Sequence, residues 1–388
     1  MVAARAGLDV LLLDKAPAFP RPKACGDALT PRAVSALKTL EVTPQPSWHQ
    51  ARGMAVYGQR DAPYHFDWPF GVAFTAPRTE FDALMLQRAA AAGAAVHLGV
   101  PVTAPLLEGG RVVGVTDARG GTWRAPVVVD ATGASSRLGA AAGMPVLASR
   151  PLGVAVRGYM TGELPAEEEP WLHSWLALRG GDGQRLAGYG WVFPLGKGRY
   201  NVGVGQLSTS PSFRRTDYRS LLRTWAASLP VAWGLRWDGD IAGAALPMGI
   251  NRRVLYRRGV LMVGDAAGLV GPFDGEGVSY ALESGAWAGE AVVRAAAAGF
   301  GTPAGEAALQ GYHHQVKAQF GGYFRAGEIF THLMGNPAVL EFCLRHGLPR
   351  PWVMRPVNKL MSNLIAPSGG PLDDRALRAL VQLLRHTG

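Results

Sequence analysis

The sequence predicts an α/β fold carrying a second, largely antiparallel sheet and a helical C-terminal region. Three observations predict it. The apolar run Gly259–Val263 ends in Gly264-Asp265, passes a Pro/Gly-rich loop and enters a helical run from about Val278 to Ala298. That is the pattern of a buried parallel strand feeding a helix. Leu8-Asp-Val-Leu-Leu-Leu-Asp14 is a second strand closing on an acid, as the second strand of a dinucleotide fold does. Residues 151–249 then change character: short strands rich in Trp, Tyr and Val replace helices, and helical spacing returns over 301–388.

Composition narrows the partners. A chain of 388 residues can bury a large core in two intertwined domains plus an appendage. The net charge of +10 is mostly arginine, but no Lys/Arg run is dense enough for a nucleic-acid patch, so no nucleic acid is expected. Two cysteines, Cys25 and Cys343, are too few for a disulfide framework or a structural zinc site. A reducing cytoplasm is the expected location, and no metal is expected. No uninterrupted apolar run reaches transmembrane length, so any membrane contact is expected to be peripheral.

Taken in order, Met1–Gly7 reads as the end of a helix stopped by Gly7. Asp14 then stands where a strand-end acid binds ribose hydroxyls; the plainer reading is a surface acid. Phe19-Pro-Arg-Pro-Lys-Ala-Cys-Gly-Asp27 leads to Thr30-Pro-Arg, an N-cap followed by proline at the first helical position. Residues 53–74 alternate like strands and are assigned to the second sheet. Arg78-Thr-Glu-Phe-Asp82 opens a helix to Ala92, and Leu98–Val129 reads as strands joined by Gly-Gly turns. Val127-Val-Val-Asp-Ala-Thr-Gly133 is another strand end, with Arg137 a further cofactor candidate beyond it.

In Gly188-Tyr-Gly-Trp-Val-Phe-Pro194, period-2 spacing places Tyr189, Trp191 and Phe193 on one face. That face is either an apolar slot or ordinary sheet core. Beyond Gly301, Gln310–Leu348 is helical, Asn336-Pro337, Pro349–Pro356 and Ala366–Gly370 are breaks, and an amphipathic helix follows from Asp373. This tail reads as a helical lid, or as a basic amphipathic cap resting on anionic lipid.

The loop after Asp265 concentrates the chemistry. Gly264, Pro272, Gly275, Glu276 and Gly277 lie between a strand end and a helix N-terminus. The glycines admit close backbone approach and the helix start favours negative charge. Asp265 can accept hydrogen bonds from sugar hydroxyls.

The stretch from Gly264 to Gly285 (GDAAGLVGPFDGEGVSYALESG) closely resembles the third flavin motif of the p-hydroxybenzoate-hydroxylase-like FAD enzymes. The chain is most similar to their geranylgeranyl reductase family, including the bacterial menaquinone reductases. Further motifs share the resemblance: P-R-x-K-x-C-G-D ending at Asp27, R-x-x-F-D from Arg78, D-A-T-G ending at Gly133, Y-x-W-x-F-P from Tyr189, and G-N-P-A-V and H-G-L-P in the tail.

The resemblance implies FAD as cofactor, bound by Asp14, Arg78, Gly133, Gly264, Asp265, Pro272, Gly275, Glu276 and Gly277. It implies a Rossmann-like FAD/NAD(P)-binding domain of the p-hydroxybenzoate-hydroxylase type over 1–50, 77–150 and 250–300. An antiparallel-sheet substrate domain follows over 51–76 and 151–249, with a helical cap over 301–388. Tyr189, Trp191, Phe193 and Pro194 would bind substrate. Cys25 would be a redox-active or proton-donating thiol; its plainer reading is a small buried hydrophobe. The family begins with a strand and a G-x-G-x-x-G turn that this sequence lacks, so Met1 is expected to be a misassigned start.

The implied activity is reduction of a C=C bond in an isoprenoid chain, the menaquinone side chain among the candidates, with NAD(P)H or a ferredoxin-like carrier as reductant. Each five-carbon unit contributes roughly 3–4 kcal/mol on burial, so an apolar slot binds such a lipid with few polar contacts. Two other functions stay open. One is a flavin-dependent monooxygenase or halogenase of an aromatic substrate. The other is a truncated, non-catalytic prenyl-lipid binder.

Overall fold

A computed structural model describes residues 1–60, 62–181, 183–366 and 368–385. Two short parallel pairs form where the sequence places strand ends. Leu11–Asp14 pairs with Ala95–Leu98, ending Asp14 opposite Leu98. Val128–Asp130 pairs with Val260–Met262, with Tyr256–Arg257 antiparallel on the far side. Both predicted strands are shorter than expected. Val260, Leu261 and Met262 have no exposed surface, which explains their unbroken apolar run: both faces of the strand are covered. Leu11–Asp14 and Val128–Asp130 each pair on one edge only, and Leu11 and Val129 are exposed.

The covering layer is helical. Val278–Ala297 turns Ala288, Ala291 and Ala295 inward, a spacing of three and four that makes one buried stripe. The 33-residue helix Pro303–Gly335 packs along it. This helix starts well before the expected Gln310. Thr302 accepts a hydrogen bond from Gly305 N–H (3.1 Å) and Pro303 takes the first helical position. Thr30 caps Pro31–Thr39 in the same way, through Ala33 N–H at 3.3 Å.

The second sheet has eight strands. In order they are Arg236–Trp237, Leu152–Thr161, Arg199–Leu207, Gly188–Gly196, Trp171–Trp175, Gly53–Tyr57 and Tyr64–Asp67, with Ala242–Pro247 also on Leu152–Thr161. Every pairing is antiparallel except Trp171–Trp175 with Gly53–Tyr57. Alternation sorts its side chains. Tyr159, Leu172, Tyr189, Trp191, Phe193 and Asn201 share one face. Val156, His173, Trp175, Val192, Tyr200 and Val202 share the other.

Three expectations need correction. Ala73–Thr75 does not join the second sheet; it pairs with Ala28–Leu29 and His49–Ala51 in a separate three-stranded sheet. Tyr218–Ala226 is a helix inside the region read as all strand, capped by Asp217, whose carboxylate accepts from Arg219 and Ser220 N–H. Pro349–Pro356 is not one break. The chain turns at Pro349-Arg350, and Pro351, which needs no N–H partner at the first helical position, starts the helix Pro351–Met361. Of the Ala366–Gly370 break, Pro367 lies outside the described residues. Among the described residues no helix is long and apolar enough to cross a membrane.

Candidate active site

Val260–Met262 delivers the chain to a tight turn. Gly264 and Gly268 both adopt left-handed backbone (φ +51° and +73°) around the short helix Gly264–Ala267. A Cβ on Gly268 would fall 2.3 Å from Asn251 Oδ1, so only glycine fits. Ser284, on the following helix, accepts Gly264 N–H at 3.1 Å and pins the turn. Asp265 is half-buried, and its carboxylate makes no hydrogen bond or salt bridge among the described residues. Across from it, a Cβ on Gly277 would sit 3.4 Å from Asp265 Oδ1. Glu276 is engaged locally: its carboxylate accepts Ser279 N–H at 2.7 Å and the Ser279 hydroxyl. Pro272 and Phe273 press on the bare backbone of Gly327.

A second loop, Lys23–Asp27, faces the first. Asp27 is buried in left-handed backbone (φ +62°). Its carboxylate accepts from Arg78 N–H (3.3 Å), the Tyr159 hydroxyl (2.8 Å) and Asn201 Nδ2 (2.8 Å). Burial raises its pKa; Asn201, Tyr159, Arg157 and Arg78 oppose that rise. Asn201 Nδ2 also donates to Cys25 O at 2.7 Å, while Asn201 Oδ1 accepts Trp191 Nε1 at 2.9 Å. Arg157 donates to Lys23 O at 2.7 Å and lies 4.2 Å over the Tyr159 ring. The loop is therefore strapped to the sheet from both ends. Cys25 Sγ accepts Asp27 N–H at 3.4 Å.

Lys23 links the two loops. Burial and the nearby Arg78 lower its pKa, and Asp265 opposes the shift. Arg78 itself is ion-paired with Asp82 at 2.5 Å. Arg21 bridges Asp82 (3.6 Å) to Asp14 (3.8 Å), so Asp14 and Arg78 lie on one line of charge. Asp14 also holds its own turn, accepting Ala16 N–H at 2.8 Å.

The aromatic face closes the space between the loops. Tyr189 and Trp191 ring centroids are 5.8 Å apart, and Trp191 and Phe193 are 6.1 Å apart. The absent side chain of Gly26 leaves Phe193 and Trp191 within 3.4–3.6 Å of where a Cβ would be. Gly203 is far more constrained, since a Cβ there would overlap the Trp191 indole at 2.1 Å. Tyr189 OH donates to Asp274 O at 2.6 Å, joining the face to the Gly264–Gly277 loop. The fourth predicted substrate residue, Pro194, does not share this face: it alternates to the other side, and its carbonyl accepts from Thr75. Gly133 stands at the end of Val128–Asp130 with φ +83° and open space on its Cβ side. The buried Asp130 shapes that turn by accepting Thr132 N–H (3.0 Å) and the Thr132 and Ser136 hydroxyls.

Arg157, Tyr159 and Asn201 escaped the sequence reading, and Lys23 and Asp130 fell within its motifs without being singled out. A signal existed for Asn201, a polar residue in the apolar alternation Tyr200-Asn-Val-Gly-Val.

A loop with left-handed Gly264, Gly268 and Gly275, an unpartnered carboxylate at Asp265, a helix start behind it and an aromatic roof suit a dinucleotide-cofactor oxidoreductase. The family model described as FAD dependent oxidoreductase matches residues 76–299, and the chain belongs to that family. It is 39% identical over 301 residues to the menaquinone reductase of Mycolicibacterium smegmatis, covering 74% of this chain and 71% of that one. It is 32% identical over 301 residues to digeranylgeranylglycerophospholipid reductase 1 of Methanopyrus kandleri, covering 76% of each. Its fold matches a geranylgeranyl bacteriochlorophyll reductase-like protein of Thermoplasma acidophilum with a TM-score of 0.80 at 23% identity, over 98% and 94% of the two chains.

The residues present fit FAD. Asp265 has no partner of its own and suits hydroxyl groups. Gly133 leaves open space at the end of Val128–Asp130, and Gly277, at the helix start, keeps the chain close to Asp265 without a side chain between. Lys23 and the positive end of the Val278–Ala297 helix dipole favour an anionic cofactor.

Proposed function

We propose that this protein reduces a C=C bond of an isoprenoid chain, with the menaquinone side chain as the first substrate to test. The observation that carries the reading is the aromatic face Tyr189–Trp191–Phe193, clamped by Asn201 against the Cys25 loop and by Tyr189 against the Asp265 loop. An apolar wall between two cofactor loops positions an alkene without polar anchors. The names of the similar proteins, menaquinone and digeranylgeranylglycerophospholipid reductases, support the same choice.

Bound FAD supplies hydride chemistry when reduced; the chain's own residues orient and exclude. In this reading Asp265 takes ribityl hydroxyls and Asp14 takes ribose. Gly264, Pro272, Gly275 and Gly277 shape the cradle that Glu276 fastens to its helix. Arg78 fixes Asp27 and the Cys25 loop, and Cys25 lies at the reacting end of the slot. Residues 1–50, 77–150 and 250–300 serve the cofactor, 51–76 and 151–249 the substrate, and 301–388 the cap.

The cap suits a lipid. A hollow of about 400 Å³ lined by Arg325, Glu328, Ile329, His332 and Leu333 lies within two turns of Gly327, which touches the Pro272-Phe273 loop. Phe342 and Trp352 are exposed beside Arg345, Arg350 and Arg355, none of which forms a salt bridge among the described residues. Aromatic side chains among unpaired cations favour peripheral contact with an anionic bilayer.

The test is incubation of FAD-loaded protein with menaquinone and a chemical reductant, followed by mass spectrometry. Gain of one H₂ in the side chain is expected. A hydroxylated or halogenated product, or a yellow protein that leaves the chain untouched, overturns the proposal.

A further inference from the structure

The last helix of the cap is built inside out. In Leu372–Leu384 the residues Leu372, Ala376, Ala379, Leu380 and Leu383 are exposed. At about 100° per residue, their spacing sets them in one arc of roughly 100°. Leu372 is 79% exposed, Leu383 68% and Leu380 41%. The opposite face is turned inward. Val381 and Leu384 pack on the core, and Asp374 is buried there, paired with Lys359 at 3.2 Å. A surface helix ordinarily turns its leucines inward and its acids outward. The helix is firmly seated all the same. A Cβ on Gly322 would fall 2.0 Å from Val381 O, so the backbones of this helix and of Pro303–Gly335 touch. Arg378 donates to Gly369 O at 2.6 Å and to Ala366 O, tying the helix to the segment before it.

The surrounding charges point to one occupant. Residues 337–385 carry seven Lys/Arg and three Asp/Glu. All three acids are ion-paired, Glu341 with Arg185 at 2.9 Å, and Asp373 and Asp374 with Lys359 at 2.9 and 3.2 Å. Arg375, beside the stripe, is exposed and forms no salt bridge among the described residues. A second copy of the chain fits poorly. A 13-residue helix is about 20 Å long and about 10 Å wide, a footprint of about 200 Å², against about 800 Å² per partner in a stable complex. A bilayer needs no such area. It takes up apolar side chains one by one, and its anionic headgroups take the free arginines.

We propose that Leu372–Leu384 lies in the plane of an anionic bilayer, with Leu372, Leu380 and Leu383 inserted and Arg375 at the phosphates. The inference rests on the peripheral contact of the reading above, which used Phe342 and Trp352, and gives that contact a second element of its own. Insertion bears on the site. Gly322, where the helix is seated, precedes Tyr323, whose ring lies 5.0 Å from that of Phe273 in the cofactor loop. Gly327, a little further along, touches Pro272 of the same loop. The membrane helix and the cofactor loop thus share one support, Pro303–Gly335. That support holds the cofactor site at a fixed height over the lipid from which an isoprenoid substrate comes.

The test is co-sedimentation of the full, FAD-loaded chain with vesicles of phosphatidylcholine alone and of phosphatidylcholine mixed with phosphatidylglycerol. Wild type should bind the mixed vesicles more tightly. Replacing the three leucines together (L372S, L380S and L383S) should lower that binding about tenfold or more, with flavin content and melting temperature held. L383S alone should give a smaller loss, and it serves where the triple variant does not fold. R375Q should weaken binding to the mixed vesicles only. V231S, at a 93% exposed valine on a different turn, should change nothing. Wild-type binding by the folded leucine variants would place the contact elsewhere and overturn the inference. So would a lipid-free dimer that these substitutions turn into a monomer, because a second copy then covers the stripe. Turnover plays no part in the measurement. A chain that binds through its stripe but reduces no isoprenoid fails the reductase reading alone, and one that reduces isoprenoids while its stripe ignores vesicles fails this inference alone.

Discussion

The two faces of the eight-stranded sheet are both aromatic, and only one is built like a site. On the far face Tyr57 and Trp175 stack at 4.0 Å, Trp225 and Trp233 meet Trp175 edge-on, and His173 is fully buried between them. The polar groups there close on one another, Tyr57 OH with His173 Nδ1 (3.2 Å) and His173 Nε2 with Glu168 O (2.9 Å). On the near face the polar groups reach outward, from Trp191 through Asn201 to Cys25 and Asp27. Rings alone do not distinguish substrate wall from core; the destinations of their hydrogen bonds do.

The sharpest test of this contrast lies in the cofactor loop beside the near face. Asp265→Ala removes the carboxylate proposed to accept from sugar hydroxyls. Each charge-assisted hydrogen bond is worth about 1.5–3 kcal/mol, so losing two should weaken FAD binding about 10²–10⁴-fold. Flavin retained after gel filtration reads this directly; undiminished flavin content removes Asp265 from the site. Next comes a matched pair, Trp191→Ala and Trp175→Ala. Truncating the buried Trp191 costs about 3–5 kcal/mol of stability, and truncating the half-buried Trp175 somewhat less. Trp191→Ala adds roughly 1–3 kcal/mol, because Asn201 Oδ1 loses its donor. Denaturant melts should show both losses, but only Trp191→Ala should raise KM for a prenyl substrate per flavin-loaded molecule. Equal KM values in the two variants would make the near face mere core.

That contrast marks what the sequence made legible. The strand into Gly264-Asp265, its glycine loop and the helix after it are contiguous, so local periodicity and turn chemistry reveal them. Period-2 spacing likewise places Tyr189, Trp191 and Phe193 together, and by the same rule separates Pro194 from them. The straps were not legible. Asn201 meets Asp27 across 174 positions and Tyr159 meets it across 132, and no local pattern encodes such partners. Nor does sequence reveal that Asp274 sits in dry surroundings while Asp265, nine residues earlier, stands unpartnered in the half-open loop. The missed helix Pro351–Met361 has a different cause: a proline read as a breaker serves as a helix start.

A pH experiment reads the far face in isolation. Burial holds His173 down to about 4, below its ordinary 6.5. Between those values the unfolded chain binds the extra proton, so stability is full above about pH 6.5 and is lost as pH falls toward 4. The shift corresponds to about 3 kcal/mol. Urea midpoints at a series of pH values should fall in wild type and fall less steeply in His173→Gln. Parallel slopes would mean that His173 is not the buried neutral group.

The smallest effects give the closest control, because two single-atom deletions differ only in the face they touch. Tyr57→Phe removes the hydroxyl bonded to His173 and should cost about 1 kcal/mol of stability. Tyr159→Phe removes the hydroxyl bonded to buried Asp27, and a bond to a charged group is worth about 1.5–3 kcal/mol. The consequences should diverge beyond those magnitudes. Asp27 keeps Arg78 N–H on one oxygen and Asn201 on the other but loses one of the two donors to Oδ2, so the Cys25 loop loosens against Trp191. The flavin absorption spectrum, which senses the polarity around the ring, should shift in Tyr159→Phe and stay fixed in Tyr57→Phe. A spectrum that moves in both, or in neither, would dissolve the distinction between the two faces.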